Sequence, residues 1–115
     1  MEEVLLVGPE SPFLRILAAV LARDWYVKAA YSQRALEQIL ATIHPDVIIF
    51  DHTQPTDLFE LNPRQFGFAG PLVLLAEEPS TAIEVLRADT FIPRPSDLFE
   101  LARLIENTLR RSRGE

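Results

Sequence analysis

Five short apolar runs recur along the chain at nearly even intervals: Val4 to Val7, Tyr26 to Ala30, Val47 to Phe50, Leu72 to Ala76 and Thr90 to Ile92. The first, third and fourth read VLLV, VIIF and LVLLA, apolar at every position rather than at alternate ones. Continuous runs of this length are the pattern of strands covered on both faces of a parallel sheet. Helices are then required on both sides. Ser11 followed by Pro12 is an N-cap with proline at the first helical position, and Phe13, Ile16, Leu17, Val20 and Leu21 mark one face of a helix expected to run to about Arg23. Ser32 opens a second helix carrying Ala35, Leu36, Ile39 and Leu40, which stops before His44-Pro45 because a residue preceding proline avoids helical dihedrals. Thr81 with Glu84 reads as a capping box for a short helix through Ile83, Leu86 and Arg87. Ser96 begins the last and longest helix, striped by Leu98, Leu101, Ala102, Ile105 and Leu109, with Glu106 four residues before Arg110. The stretch from His52 to Gly70 contains Pro55, Pro63, Gly67 and Gly70, and is expected to be loop-like with room only for a short or distorted helix.

Strand and helix alternating in this way give an α/β domain with right-handed crossovers. At 115 residues the expected architecture is a flavodoxin-like, five-stranded parallel sheet ordered 2-1-3-4-5, with helices on both faces. The length is that of one domain, residues 1–115, with a core from about residue 3 to residue 111. Hydrophobic residues at 48% and charged residues at 24% place the chain among ordinary soluble domains. Eleven Lys plus Arg against 17 Asp plus Glu leave a net charge of −6, which argues against direct nucleic-acid binding and against an anionic-membrane anchor. Without cysteine there is no disulfide, thiolate nucleophile or thiolate metal site. No apolar run approaches the ~20 residues of a membrane helix, and Met1-Glu2-Glu3 has the wrong charge for a secretory signal, so the cytoplasm is the expected location.

In parallel α/β sheets function gathers outside the carboxyl ends of the strands. Those ends are Gly8 to Glu10, Asp51 to Thr53, Ala76 to Glu78, and Arg94-Pro95. Pro45-Asp46-Val47-Ile48-Ile49-Phe50-Asp51 followed by Pro55 resembles the third strand of a response-regulator receiver domain, with Asp51 at the phospho-accepting position. Val4 to Val7, Pro71 to Leu75 and Arg94-Pro95 fall where receivers place their first, fourth and fifth strands. The resemblance covers the chain from about Glu3 to Arg111. It implies phosphoryl transfer onto one aspartate, aided by Mg²⁺, an acidic pair, a hydroxyl and a lysine. Such chemistry depends on positioning and charge stabilisation, with the cation held by carboxylates, water and phosphate oxygens.

Most of that set is replaced here. Gly8-Pro9 stands where receivers carry two acidic residues, Ala76 where they carry Thr or Ser, and Arg94 where they carry Lys. Only Asp51 is left. Arg94 can pair with it through two parallel hydrogen bonds but is not equivalent to an ammonium. Phe91 occupies the position of a rotating aromatic in receivers, or else simply fills the space between the last strand and the preceding helix.

The expectation is therefore an atypical, pseudo-receiver domain that catalyses nothing, uses no cofactor, and acts as a phosphorylation-independent protein-interaction or regulatory module in signal transduction or transcriptional control. By resemblance, the contact or homodimer face is the one made by the fourth helix (opened by Thr81), the fifth strand and the fifth helix, with Arg87, Glu100 and Arg103 on its polar rim. The alternative is a phospho-accepting receiver whose Mg²⁺ site is rebuilt from Glu10, Asp51 and Glu77. Against it, loop glutamates are ordinarily solvated, and Glu77-Glu78 precede a helix N-terminus where negative charge is favourable. A third reading places a small ligand in a crevice beside Gly8, where missing side chains leave room. His52 adjoins Asp51, but neighbours along a strand point to opposite faces, and His44 reads as a turn residue before Pro45. The arginines ending the last helix suit its dipole and need no ligand.

Overall fold

The computed structural model describes residues 2–53, 61–77, 81–93 and 98–112. The strands are β1 (Glu3–Val7), β2 (Tyr26–Ala30), β3 (Val47–Asp51), β4 (Leu72–Ala76) and β5 (Thr90–Pro93). They form one parallel sheet in the order β2-β1-β3-β4-β5, the flavodoxin-like order that the strand and helix alternation predicts. The described helices are α1 (Pro12–Leu21), α2 (Gln33–Thr42), α3 (Ala82–Leu86) and α4 (Leu98–Ser112), with a 3₁₀ helix at Pro63–Phe66. Among the described residues, no helix is long and apolar enough to cross a membrane.

The strand pleat sorts each apolar run into two cores. Val4, Leu6, Val47, Ile49, Val73 and Leu75 face α1 and α4, meeting Leu14, Leu17 and Leu21 on one and Leu101, Ile105 and Leu109 on the other. Leu5, Val7, Ile48, Phe50, Leu72 and Leu74 face the opposite way, onto Leu36 of α2 and Ala82 and Leu86 of α3. The runs Val4–Val7, Val47–Phe50 and Leu72–Ala76 of β1, β3 and β4 are therefore apolar at every position because both of their faces are covered. Edge strand β2 alternates instead, and its Tyr26 is exposed. Each fully buried Leu or Ile contributes roughly 2–3 kcal/mol to holding the layers together.

The helix starts follow the local chemistry. The Ser11 hydroxyl accepts the Leu14 N–H at 3.2 Å, and the Ser32 hydroxyl accepts the Ala35 N–H at 3.2 Å. Two expectations need correction. α1 ends at Leu21, short of Arg23, because the Asp24 and Trp25 amides both turn back onto the Leu21 carbonyl, at 3.1 and 3.0 Å, and deliver Trp25 to the core. The Thr81 capping box does not form: Thr81 is itself helical (φ −62°, ψ −14°), makes no side-chain cap bond, and contributes only its carbonyl, to the amides of Glu84 and Val85. Residues 62–70 hold the short helix expected within the loop-like stretch, followed by irregular chain. There Asn62 Oδ1 caps the Arg64 amide at 3.0 Å, Pro63 starts a 3₁₀ turn, and Gly67 stops it at φ 90°. The start of the last helix at Ser96 lies outside the described residues.

Candidate functional site at the carboxyl edge of the sheet

Asp51 is the last residue of β3 and only 1% exposed. A buried carboxylate must find donors, because leaving its charge unsolvated is costly. Asp51 finds them two residues downstream: its Oδ1 accepts the Thr53 amide at 3.0 Å and the Thr53 hydroxyl at 2.6 Å. This is a local side-chain turn of the kind that Asp and Thr favour at strand ends. Thr53 is a site residue that the strand-end survey brackets without assigning it a role, and its only sequence signal is the short Asp-x-Thr spacing.

Gly8 follows β1 directly and lies against Asp51. A Cβ at position 8 would stand 2.9 Å from the Asp51 carbonyl oxygen, 3.1 Å from the Asp51 Cβ and 3.4 Å from Leu14 Cδ1, on a backbone with φ +155°. The missing side chain at position 8 thus leaves no room on the Asp51 side, because the backbone of β3 has closed onto it. The neighbour Pro9 brings no charge, and Ala76, buried at the end of β4 opposite Pro93, brings no hydroxyl.

Glu10 pairs with the guanidinium of Arg15 on α1, and the pair is well exposed. The hydrogen bond that Arg15 donates to Glu10, and after it the Glu10 charge, holds the Arg15 pKa above its ordinary value. Glu77 is exposed at the end of β4. Glu10, Asp51 and Glu77 do not form a cluster, and among the described residues no three His, Asp or Glu side chains come together as a metal would require. Among the described residues, the carboxylates thus do not converge as a Mg²⁺ cradle would require.

His52 donates its amide to the Leu75 carbonyl at 2.8 Å, and its ring tilts against Phe50 with centroids 6.4 Å apart. It therefore lies on the Phe50 side of the sheet, away from the Asp51 carboxylate. Exposed His44 sits before Pro45 in the irregular link between α2 and β3. Phe91 is half-buried against the core that contains Ala82 and Leu86. Arg87, Glu100 and Arg103 are all exposed, on α3's end and on α4. Arg94 and Glu78 lie outside the described residues, so a pairing of Arg94 with Asp51 does too.

A second residue without a role in the sequence reading is Arg64. Its side chain is only 8% exposed, and its guanidinium lies over the Phe68 ring and bonds to the Phe68 and Gly70 carbonyls after the 3₁₀ helix and to the Leu86 and Arg87 carbonyls at the end of α3.

No family model matches the chain. In sequence it is 27% identical over 117 residues to Regulatory protein AtoC of Escherichia coli K12, an alignment covering 95% of this chain and 25% of AtoC. The chain thus spans about a quarter of the length of that curated relative. In structure it is similar to a response regulator receiver domain protein (CheY-like) from Methanospirillum hungatei, with a TM-score of 0.76 at 16% identity, covering 99% of this chain and 98% of that one. The signal receiver domain of an HD domain-containing protein from Pseudomonas fluorescens gives 0.75 at 24% identity, over 99% and 98% of the two chains. The Francisella response regulator 1452 receiver domain gives 0.72 at 20% identity, over 97% and 99%. The chain has the receiver fold. Within that fold Asp51 occupies the end of β3, with Gly8-Pro9 beside it after β1 and Ala76 beyond it on β4.

Proposed function

We propose that this receiver-fold domain works without phosphorylation, as a protein-interaction or regulatory module in signal transduction or transcriptional control. The observation that carries the reading is the contact between Gly8 and Asp51, 2.9 Å from a would-be Cβ to a backbone oxygen. A phosphoryl donor is an anion, and bringing it to a carboxylate requires a cation or an equivalent positive field. At this strand end the neighbouring backbone excludes any side chain at position 8, and the Asp51 Oδ1 is already saturated by Thr53. Asp51 is thereby a structural residue, tying the end of β3 to the turn that follows it.

In this reading the output is recognition. The face made by α3, β5 and α4 is the contact surface for a protein partner or a second copy of the chain, with Arg87, Glu100 and Arg103 on its rim; this part rests on analogy with the fold. No catalysis, cofactor, nucleic-acid contact or membrane contact enters the scheme, and the cytoplasm is the compartment proposed.

Incubation with acetyl phosphate and Mg²⁺, followed by intact-mass measurement, tests it. The expected outcome is an unchanged mass. A Mg²⁺-dependent phosphate adduct on Asp51 would overturn the reading in favour of a phospho-accepting receiver.

A further inference from the structure

Arg64 is in an unusual position for a guanidinium: its side chain is 8% exposed, and its one carboxylate partner among the described residues, Asp89, is 60% exposed and reached only at 3.4 Å. A guanidinium has five N–H donors in a rigid fork, and all five are used. Nε donates to the Leu86 carbonyl at 3.0 Å. One terminal nitrogen donates to the carbonyls of Phe68 at 3.2 Å and Gly70 at 2.7 Å. The other donates to the Arg87 carbonyl at 2.8 Å and to Asp89 Oδ2. Charge compensation thus comes chiefly from carbonyl dipoles, including those left unpaired at the end of α3, where a cation is favoured. The Phe68 ring, 5.4 Å from Cζ, closes one side.

The corner that this guanidinium joins is also closed by main-chain bonds from the Arg87 and Ala88 amides back into α3, and by Asn62 Nδ2, which donates to the Val85 carbonyl at 3.4 Å. α3 is five residues long and ends in Arg87 at φ 51°, ψ 51°, a left-handed conformation that glycine adopts more easily. Asp89 carries the connection into the sheet: its Oδ2 also accepts the Leu72 amide at 2.9 Å, and its own amide donates to the Leu72 carbonyl at 2.9 Å. One side chain therefore joins residues 63–70, the end of α3, the entry to β5 and the first residue of β4. This junction lies at the amino edge of the sheet, the edge opposite Asp51.

We propose that Arg64 is the positioning residue of the α3–β5 corner. It fixes the left-handed end of α3, and so gives this side of the contact face its shape whatever the state of Asp51. The proposal rests on the reading of that face as the recognition surface. Lysine cannot substitute, since its three donors have no fork with which to reach both segments.

The test is residue-resolved amide exchange by NMR on the wild-type chain, Arg64→Met, Arg64→Lys and Asp51→Asn. Both Arg64 variants should raise exchange at Phe68, Ala88 and Asp89 by about tenfold or more relative to core amides such as Leu6 and Ile49. Arg64→Lys keeps the stem and the charge, and is the variant read if Arg64→Met does not fold. Asp51→Asn should leave those three amides as in the wild type. Unchanged protection in the Arg64 variants, or a uniform acceleration of all amides, would overturn the proposal. So would a tenfold change at the corner caused by Asp51→Asn. A phosphate adduct on Asp51 that leaves the three amides unaltered would remove the phosphorylation-independent reading while supporting the clamp.

Discussion

Position 8 accommodates a hydrogen and nothing larger. The atoms it would strike are the carbonyl oxygen and Cβ of Asp51, which belong to a central strand and cannot swing aside as the tip of a long side chain could. Gly8→Ala is therefore expected to destabilise by about 2–3 kcal/mol, combining backbone strain with overpacking. In urea unfolding this would appear as a lower midpoint at an unchanged slope. A neutral result would mean that the end of β1 shifts freely, and that this backbone could admit an acidic side chain there. Thr53 belongs to the same scale: its amide and hydroxyl converge on one carboxylate oxygen and satisfy a buried charge within a two-residue span.

Among the elements, the two cap candidates make a matched comparison. Ser11 receives a hydrogen bond from the Leu14 amide whereas Thr81 receives none, so Ser11→Ala should cost about 1 kcal/mol and Thr81→Ala close to nothing in thermal unfolding. An equal cost for both would show that the capping box forms after all. The contrast also indicates what the amino-acid sequence discloses. Ser11-Pro12, Ser32 and the apolar runs were legible because they act within a turn or along one strand, where residue type and spacing carry the physics. The Thr81 box failed because a five-residue helix leaves its cap residue inside the helical geometry. Gly8 was readable as a missing carboxylate but not as a contact, since the approach of β3 to β1 is a tertiary fact. Arg64 was not legible at all: four of its acceptors are main-chain carbonyls, two of them 22 and 23 residues away, and a carbonyl has no letter in the sequence.

For the whole molecule, the consequence concerns linkage. A ligand that binds the native state and not the unfolded chain raises the melting temperature, the stabilisation growing with the logarithm of one plus the ratio of free ligand to Kd. With Glu10 engaged by Arg15, Asp51 by Thr53 and no converging carboxylates among the described residues, melting should be the same in Mg²⁺ and in EDTA. A rise with Mg²⁺ that Glu77→Gln or Glu10→Gln abolishes would install the displaced cradle. Net charge of −6 gives the molecule a weak general attraction for cations, which a matched ionic strength with NaCl removes as a variable.

Apart from Asp89 Oδ2, the Arg64 junction grips main-chain oxygen atoms that every amino acid possesses. The exposed guanidinium of Arg87 takes no part in it; only the Arg87 carbonyl does. The lettering of the rim can therefore be rewritten at position 87 while the scaffold beneath keeps its form, so that one fastening would serve many specificities.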